Sequence, residues 1–132
     1  MSLNTFSLYL FGGTGDLSTR KLLPALFRQE TISSISHESQ IVGIGSKDLT
    51  VDSYISMVKE SLSKHFHGFD ENGDAWKRFS MRLSYKKLDI NSDDDWKNFG
   101  NIPQDRPAIF YLATPPNLYK VISKSLKSGS LI

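Results

Sequence analysis

Apolar residues are concentrated in four short runs along this chain, at residues 6–11, 40–45, 82–90 and 108–113. The length of each run and its aliphatic and aromatic content predict a strand. The run at 108–113 is continuously apolar, which predicts a strand in a parallel sheet covered on both faces. Apolar residues at helical spacing predict helices from 17 to about 29, from the N-cap Thr50 to about 65, around 75–79, from Ser92 or Asp93 to 99, and from 117 to about 127. Strands that alternate with helices in this way predict a doubly wound α/β fold with a parallel sheet.

A glycine-rich turn, Gly12-Gly13-Thr14-Gly15, joins the first predicted strand to the first predicted helix. Glycine permits positive φ and lets the backbone approach another group closely. The free N–H groups at the start of the helix, together with the helix dipole, can hold a pyrophosphate, so the turn predicts a dinucleotide site. Ser18 stands where the usual fingerprint has a third glycine, which leaves a tight turn without a ligand as the alternative.

Ligands of doubly wound sheets bind beyond the carboxyl ends of the strands, which makes loops 12–17, 45–48, 89–91 and 114–117 the candidates. The second loop decides the cofactor, because an acid there accepts from a ribose 2′-hydroxyl and repels a 2′-phosphate. Ser46 and Lys47 at the tip of this loop favour NADP, while Asp48 directly afterwards keeps NAD open. Thr14 can add a hydroxyl donor to the same phosphate, or it can bond its own backbone.

Composition narrows the class of protein. The 132 residues, 39% hydrophobic and 23% charged, predict one soluble globular domain. The net charge of +2 gives no strong attraction to nucleic acid or membrane, and neither is expected as a partner. The absence of cysteine excludes disulfides and thiolate metal sites. Because no signal peptide or long apolar segment is visible, the expected location is the cytoplasm.

Three segments of the chain carry the motifs of one enzyme family. They are residues 12–24 (GGTGDLSTRKLLP), 41–46 (IVGIGS) and 110–119 (FYLATPPNLY). They resemble the cofactor loop, the second strand and the Tyr-Leu-Ala-x-Pro-Pro strand end of the glucose-6-phosphate dehydrogenases, and the similarity spans all 132 residues. The resemblance implies that residues 1–132 are a Rossmann-like NAD(P)-binding domain, the N-terminal part of a larger two-domain enzyme.

The resemblance also implies roles for single residues. Lys21 would be the catalytic residue of this chain, reaching towards the substrate. Residues 12–19 would bind the pyrophosphate, 89 and 90 would border the adenosine, and 115, 116 and 119 would flank the nicotinamide. With the loop predictions, the cofactor-binding residues are Gly12, Gly13, Thr14, Gly15, Asp16, Leu17, Ser18, Thr19, Ser46, Lys47, Asp89, Ile90, Pro115, Pro116 and Tyr119.

The reaction that the resemblance implies is oxidation of glucose 6-phosphate to 6-phosphogluconolactone, an entry step of the pentose phosphate pathway. Hydride would pass from C1 of the sugar to C4 of the nicotinamide of NADP, while a histidine takes the hydroxyl proton. The full-length enzyme would be a homo-oligomer with glucose 6-phosphate as its substrate.

This sequence departs from the family pattern in two places. The family usually has arginine where this chain has Ser46, and serine cannot make the bidentate grip of arginine on phosphate, so NAD use becomes possible. The family continues with Glu-Lys-Pro-Phe-Gly and Asp-His-Tyr segments that hold the substrate phosphate and the general base, and this sequence ends at Ile132 before both. His37, His65 and His67 do not match that base and are expected at the surface. The 132-residue chain alone is therefore expected to bind cofactor weakly at best and to show no turnover.

Other functions remain open from the sequence. Gly-Gly-Thr-Gly also begins short-chain-type reductases, but those need the third glycine and a Tyr-x-x-x-Lys pair, which this sequence lacks. A freestanding NADPH-binding or NADPH-sensing module is the non-enzymatic alternative. No metal site is expected, because Asp93, Asp94 and Asp95 are better explained as acids at a helix start. Missing neighbouring strands would leave the fourth strand unpaired at one edge, so the chain is expected to self-associate.

Overall fold

A computed structural model describes residues 5–132. Its sheet has four parallel strands in the order β3-β2-β1-β4. The strands are β1 Ser7–Phe11, β2 Gln40–Gly45, β3 Leu83–Lys87 and β4 Ala108–Leu112. The helices are α1 Leu23–Thr31, α2 Val51–His65, α3 Asp74–Arg82, α4 Asp93–Lys97 and α5 Tyr119–Ser128. The prediction of a parallel α/β sheet is confirmed.

Helices cover both faces of the sheet, as a doubly wound fold requires. Successive side chains of a strand point to opposite faces. In β1, Leu10 therefore packs with α1, α2 and α3, while Phe11 packs with the α4–α5 side. All five residues of β1 are buried, which makes this strand the centre of the fold.

The strand order reverses beside β1. The chain proceeds outward from β1 through β2 to β3 and then crosses back to place β4 on the other side of β1. In α/β sheets, the connections that follow the strands on either side of such a reversal diverge and open a crevice beyond the carboxyl ends. Here the crevice lies directly after Phe11, where the glycine turn begins.

The first helix departs from the prediction of a regular α-helix beginning at Leu17. Residues Ser18–Leu22 form a π-helical turn, and the Leu23 amide donates to the Ser18 carbonyl. The physical reason is Pro24, which has no N–H for the Arg20 carbonyl and whose ring would collide with it in a regular helix. Widening the turn separates the two groups, and α1 continues regularly from Leu23.

Two strand predictions need correction. Arg82 belongs to α3 and the third strand is shorter than predicted, because α3 runs to the residue before β3 with Trp76, Phe79 and Arg82 buried. The prediction that β4 is covered on both faces is wrong. β4 ends the strand order, and Ile109 and Tyr111 are 46% and 42% exposed. Among residues 5–132, no helix has the length and apolar character needed to cross a membrane.

Candidate functional site

The glycine turn after β1 is held against both neighbouring strands. Gly12 has φ +80°, and its amide donates to the Ile44 carbonyl at 2.9 Å. A Cβ at Gly12 would lie 2.5 Å from the Ala113 carbonyl oxygen, which no side chain could tolerate. Glycine is therefore required here both for its conformation and for the close approach of the loop after β4.

Several amide groups at the start of the helix are left without backbone partners. Within the turn, the Gly15 amide donates to the Gly12 carbonyl at 3.0 Å, and the Thr19 amide donates to the Gly15 carbonyl at 3.0 Å. No carbonyl of residues 5–132 accepts from the amides of Thr14, Asp16, Leu17 or Ser18. A group of unpaired N–H donors at a helix start is suited to binding an anion.

Ser18, which replaces the expected third glycine, is fully buried. Its hydroxyl donates to the Gly12 carbonyl at 2.8 Å. The side chain thus folds back onto the turn and satisfies a carbonyl there. Serine fits where glycine was expected, and the turn keeps its shape.

Tyr54 of α2 supports the glycine turn from beneath. Its hydroxyl donates to the Gly13 carbonyl at 3.0 Å, and the residue has no exposed surface. Burial raises the pKa of this phenol, so it stays protonated and remains a donor at neutral pH. The ring lies against Gly43 of β2, where a Cβ would come within 2.4 Å of the phenol oxygen.

The second loop is fixed by a second tyrosine. The Tyr85 hydroxyl of β3 donates to the Lys47 carbonyl at 2.7 Å, and the Tyr85 and Tyr54 rings lie 5.1 Å apart. Burial raises the pKa of Tyr85, with a further contribution from Asp48. Ser46 and Lys47 themselves are exposed. Their side chains are free for a ligand while their backbone is held.

The first two loops meet at Thr14. A Cβ placed on Gly45 would lie 3.7 Å from the Thr14 hydroxyl oxygen. Thr14 therefore lies beside Gly45, the last residue of β2, and Ser46 is the next residue of the chain after Gly45. The structure thus places the Thr14 hydroxyl beside Gly45, the residue before Ser46.

The third loop is close to the second. The Leu88 amide donates to the Gly45 carbonyl at 2.8 Å, which places Asp89 and Ile90 directly beyond β2. The Asp89 amide donates to an Asp95 carboxylate oxygen at 2.7 Å, and the Ile90 carbonyl accepts from the Trp96 indole at 2.9 Å. The Asp89 side chain is exposed at the same edge.

The fourth loop lies on the opposite side of the glycine turn. The Ala113 amide donates to the Phe11 carbonyl at 2.9 Å. The next residue, Thr114, has a buried hydroxyl oxygen without a hydrogen-bond partner among residues 5–132. Pro115, Pro116 and Tyr119 follow it and are exposed. Lys21, in the π-helical turn, is also exposed.

Comparison with known proteins identifies the family of this chain. The family described as "Glucose-6-phosphate dehydrogenase, NAD binding domain" matches residues 9–132. The chain belongs to this family. Membership supports a nicotinamide cofactor, and it does not distinguish NADP from NAD.

Individual relatives agree with this family. The chain is 32% identical over 130 residues to the glucose-6-phosphate 1-dehydrogenase of Rhizobium meliloti, with 96% of this chain and 26% of the relative covered. It is 34% identical over 126 residues to that of Dickeya dadantii, with 94% and 26% covered. The crystal structure of the Mycobacterium avium enzyme superposes with a TM-score of 0.88 at 28% identity, covering 97% of this chain and 28% of that one. The chain spans about a quarter of the length of the curated relatives it matches.

Sequence reasoning did not identify four residues that shape this glucose-6-phosphate dehydrogenase domain. Tyr54 and Tyr85 hold the first and second loops through their hydroxyls, and Gly43 makes room for the Tyr54 ring. Thr114 places a buried, unpaired hydroxyl beside the glycine turn. The position of Tyr54 on the buried face of its helix was visible in the sequence, but the partner of its hydroxyl was not. The spacing of Gly43 and Gly45 within an apolar strand was the available signal for a close approach.

Proposed function

We propose that residues 1–132 are the cofactor-binding domain of a glucose-6-phosphate 1-dehydrogenase that uses NADP. The observation that carries this proposal is the group of free amides of Thr14, Asp16, Leu17 and Ser18, placed beyond β1 where the strand order reverses. The family membership of residues 9–132 supports the same assignment. Gly12 to Thr19 would hold the cofactor pyrophosphate through these amides, while Gly13 lets the turn pack directly against β2, where a Cβ would lie 2.8 Å from the Gly43 Cα.

The residues present fit a dinucleotide on two further observations. The close contact of Gly12 with the Ala113 carbonyl leaves the turn as bare backbone, which a diphosphate can approach. The Thr114 hydroxyl is a buried polar group without a hydrogen-bond partner in residues 5–132, and such groups cost stability unless a ligand or water satisfies them. Thr114 would donate to the cofactor on the nicotinamide side of the turn.

The adenosine end would lie over the end of β2. Ser46 and Lys47 would contact a 2′-phosphate, with the Thr14 hydroxyl beside them, and Asp89 and Ile90 would border the adenosine. Two hydroxyls and an ammonium favour a phosphate over a bare ribose hydroxyl. Because serine cannot form the bidentate contact of arginine, the preference for NADP over NAD is expected to be moderate.

The nicotinamide end would lie over the end of β4. Pro115, Pro116 and Tyr119 would flank the ring, which when bound supplies the hydride acceptor of the reaction. The Lys21 ammonium would hold the negatively charged substrate, glucose 6-phosphate, near this end. None of the three histidines lies there, because His37 leads into β2 and His65 and His67 lie at or just after the end of α2. The general base would therefore come from another part of the full-length enzyme.

A parallel titration of the 132-residue chain with NADP and NAD tests this proposal. We expect NADP to bind several-fold more tightly than NAD, and Ser46→Arg to increase that preference about tenfold by restoring a bidentate contact with the phosphate. Failure of both cofactors to bind at millimolar concentration would refute the cofactor site. Equal affinities with an unresponsive Ser46→Arg variant would refute the NADP assignment alone.

The catalytic part of the proposal has its own measurement. With glucose 6-phosphate and NADP, the 132-residue chain should produce no reduced cofactor by absorbance, because the base and the substrate-phosphate ligands lie elsewhere. Appreciable turnover would refute the proposal that the base and the substrate-phosphate ligands come from another part of the full-length enzyme. We further propose that the full-length enzyme is a cytoplasmic homo-oligomer of the pentose phosphate pathway.

A further inference from the structure

Among residues 5–132, Tyr85 is the side chain that ties the backbone of the second loop to the sheet beneath it. Its hydroxyl donates to the Lys47 carbonyl at 2.7 Å, while its ring packs beneath Gly45, where a Cβ would lie 3.1 Å from the phenol oxygen. Tyr85 is 8% exposed, so this bond is largely shielded from water. The contact fixes the peptide that follows Lys47, directly after the two residues proposed to meet the 2′-phosphate.

From this contact we propose that Tyr85 is a positioning residue for cofactor choice, holding loop 45–48 so that the chain distinguishes NADP from NAD. The inference rests on the proposed function. It adds a residue that positions loop 45–48 to the residues proposed to contact the cofactor. Tyr85 acts through Lys47 and Ser46 and does not itself contact the phosphate.

Side-chain length makes the backbone position important at this site. Arginine is long and carries several donors, so it can reach a phosphate from a loop that moves. Serine has a single short hydroxyl, and hydrogen bonds weaken steeply once the distance and angle depart from their narrow range. With Ser46 in place of arginine, the position of the loop backbone therefore controls how well the phosphate is bound.

Tyr54 provides the internal comparison, because it holds a different part of the same cofactor site. Its hydroxyl bonds the Gly13 carbonyl in the turn proposed to carry the pyrophosphate, a group that NADP and NAD share. The two phenols lie on neighbouring elements with their rings in contact. They differ in the loop they hold. Tyr54 holds the turn proposed to bind the pyrophosphate, which NADP and NAD share, and Tyr85 holds the loop proposed to bind the 2′-phosphate, which only NADP has.

Three conservative variants test the proposal in the 132-residue chain: Tyr85→Phe, Tyr54→Phe and the control Tyr9→Phe. Tyr9 is 5% exposed and packs with Phe99 and Phe110 on the α4–α5 side, away from both loops. Each variant removes one phenol oxygen and keeps the ring. Dissociation constants for NADP and NAD are measured by calorimetric titration, and folding is checked by urea unfolding.

We expect Tyr85→Phe to raise the dissociation constant for NADP about tenfold and that for NAD less than twofold. Tyr54→Phe should raise both constants by the same factor, and Tyr9→Phe should change neither. Titration with adenosine 2′,5′-bisphosphate and AMP should repeat the pattern without the nicotinamide half.

The outcomes separate this inference from the proposed function. A wild-type chain that prefers NADP, together with a Tyr85→Phe variant of unchanged preference, overturns the role of Tyr85 and leaves the cofactor site standing. Equal loss of NADP and NAD in Tyr85→Phe also overturns it, because a general loosening of the fold would act in that way. A wild-type chain that binds both cofactors without any preference, with an unresponsive Ser46→Arg variant, overturns the role of Tyr85 and the NADP assignment and leaves the cofactor site standing.

Discussion

Tyr54 occupies the space that a side chain at Gly43 would need. A Cβ on Gly43 would lie 2.4 Å from both the phenol oxygen and the ring carbon that carries it. The consequence reaches the glycine turn after β1, because the same hydroxyl bonds the Gly13 carbonyl. A glycine in the middle of β2 thus allows a residue of α2 to support the turn after β1.

The first prediction concerns this contact. Gly43→Ala should lower the free energy of unfolding by about 1–3 kcal/mol, because the ring must shift in a closely packed core. It should also weaken cofactor binding, since the shift breaks the bond to Gly13. Urea unfolding and an NADP titration measure the two effects. Gly129→Ala is the control, because a Cβ there meets only ordinary contacts near 3.4 Å. Equal effects of the two substitutions would contradict the argument.

The second prediction separates backbone conformation from space at Gly12. Gly12 and Gly68 have nearly the same conformation, with φ +80° and +78°, but a Cβ at Gly68 has nothing within 4 Å. Alanine at either position should cost about 1–2 kcal/mol of stability for the left-handed conformation. Gly12→Ala should cost more, because its Cβ overlaps the Ala113 carbonyl, and it alone should abolish NADP binding. Unchanged affinity in a folded Gly12→Ala variant would exclude this turn as the cofactor site.

The third prediction concerns Thr114, whose substitution should stabilise the chain and at the same time weaken NADP binding. Thr114→Val keeps the shape of the side chain and removes the unpaired hydroxyl, so the chain should become more stable by about 1 kcal/mol. The same change should weaken NADP binding several-fold if the hydroxyl serves the ligand. Thermal unfolding and titration measure the pair. Ser7→Ala, which removes the other unpaired buried hydroxyl found in residues 5–132, should leave NADP affinity unchanged. A Thr114→Val variant with wild-type affinity would show that the hydroxyl has no ligand role.

The fourth prediction concerns a buried ion pair at the other end of the sheet. Arg82 and Glu30 are 4% and 1% exposed, and Arg82 Nε lies 2.5 Å from Glu30 Oε1. Arg82 also donates to the Ile35 and Ser39 carbonyls before β2. Arg82→Met should destabilise the fold by up to about 3–5 kcal/mol, because it leaves the buried Glu30 carboxylate with only the partly exposed Arg78, whose Nε lies 3.4 Å from Glu30 Oε2.

A second substitution provides the check on that ion pair. In the double variant Glu30→Leu and Arg82→Met, no buried charge remains and much of the stability should return. A double-mutant cycle in urea measures the coupling, and additive effects would contradict it. NADP affinity should stay near wild type in the folded double variant, since the pair lies before β2 and the proposed cofactor site lies after it.

The fifth prediction concerns the open edge of the sheet. In the part of the chain that the structure describes, no strand pairs with the outer edge of β4, and Ile109 and Tyr111 are exposed there. They line an apolar groove of about 620 Å³ against α1, beside Leu26. The 132-residue chain should therefore self-associate. Ile109→Lys should reduce the association in analytical ultracentrifugation. A monomer at all concentrations would contradict the prediction.

Local patterns in the sequence were sufficient for the elements and for the glycine turn. The four strands, the N-cap role of Thr50 and Ser92, and the turn between β1 and the first helix follow from side-chain chemistry over a few neighbouring residues. The family motifs are local in the same sense. For that reason the fold and the family could be predicted before any coordinates.

Only the tertiary structure decided what lies between elements distant in the chain. Tyr54 and Gly13 are separated by 41 residues and Tyr85 and Lys47 by 38, and their hydrogen bonds exist because parallel strands bring loops from separate connections to one edge. The exposure of β4 likewise depends on how helices and strands are placed together, whereas the π-helical turn before Pro24 has a local cause. A sequence specifies which groups can donate, accept or be buried, and packing determines which of them meet.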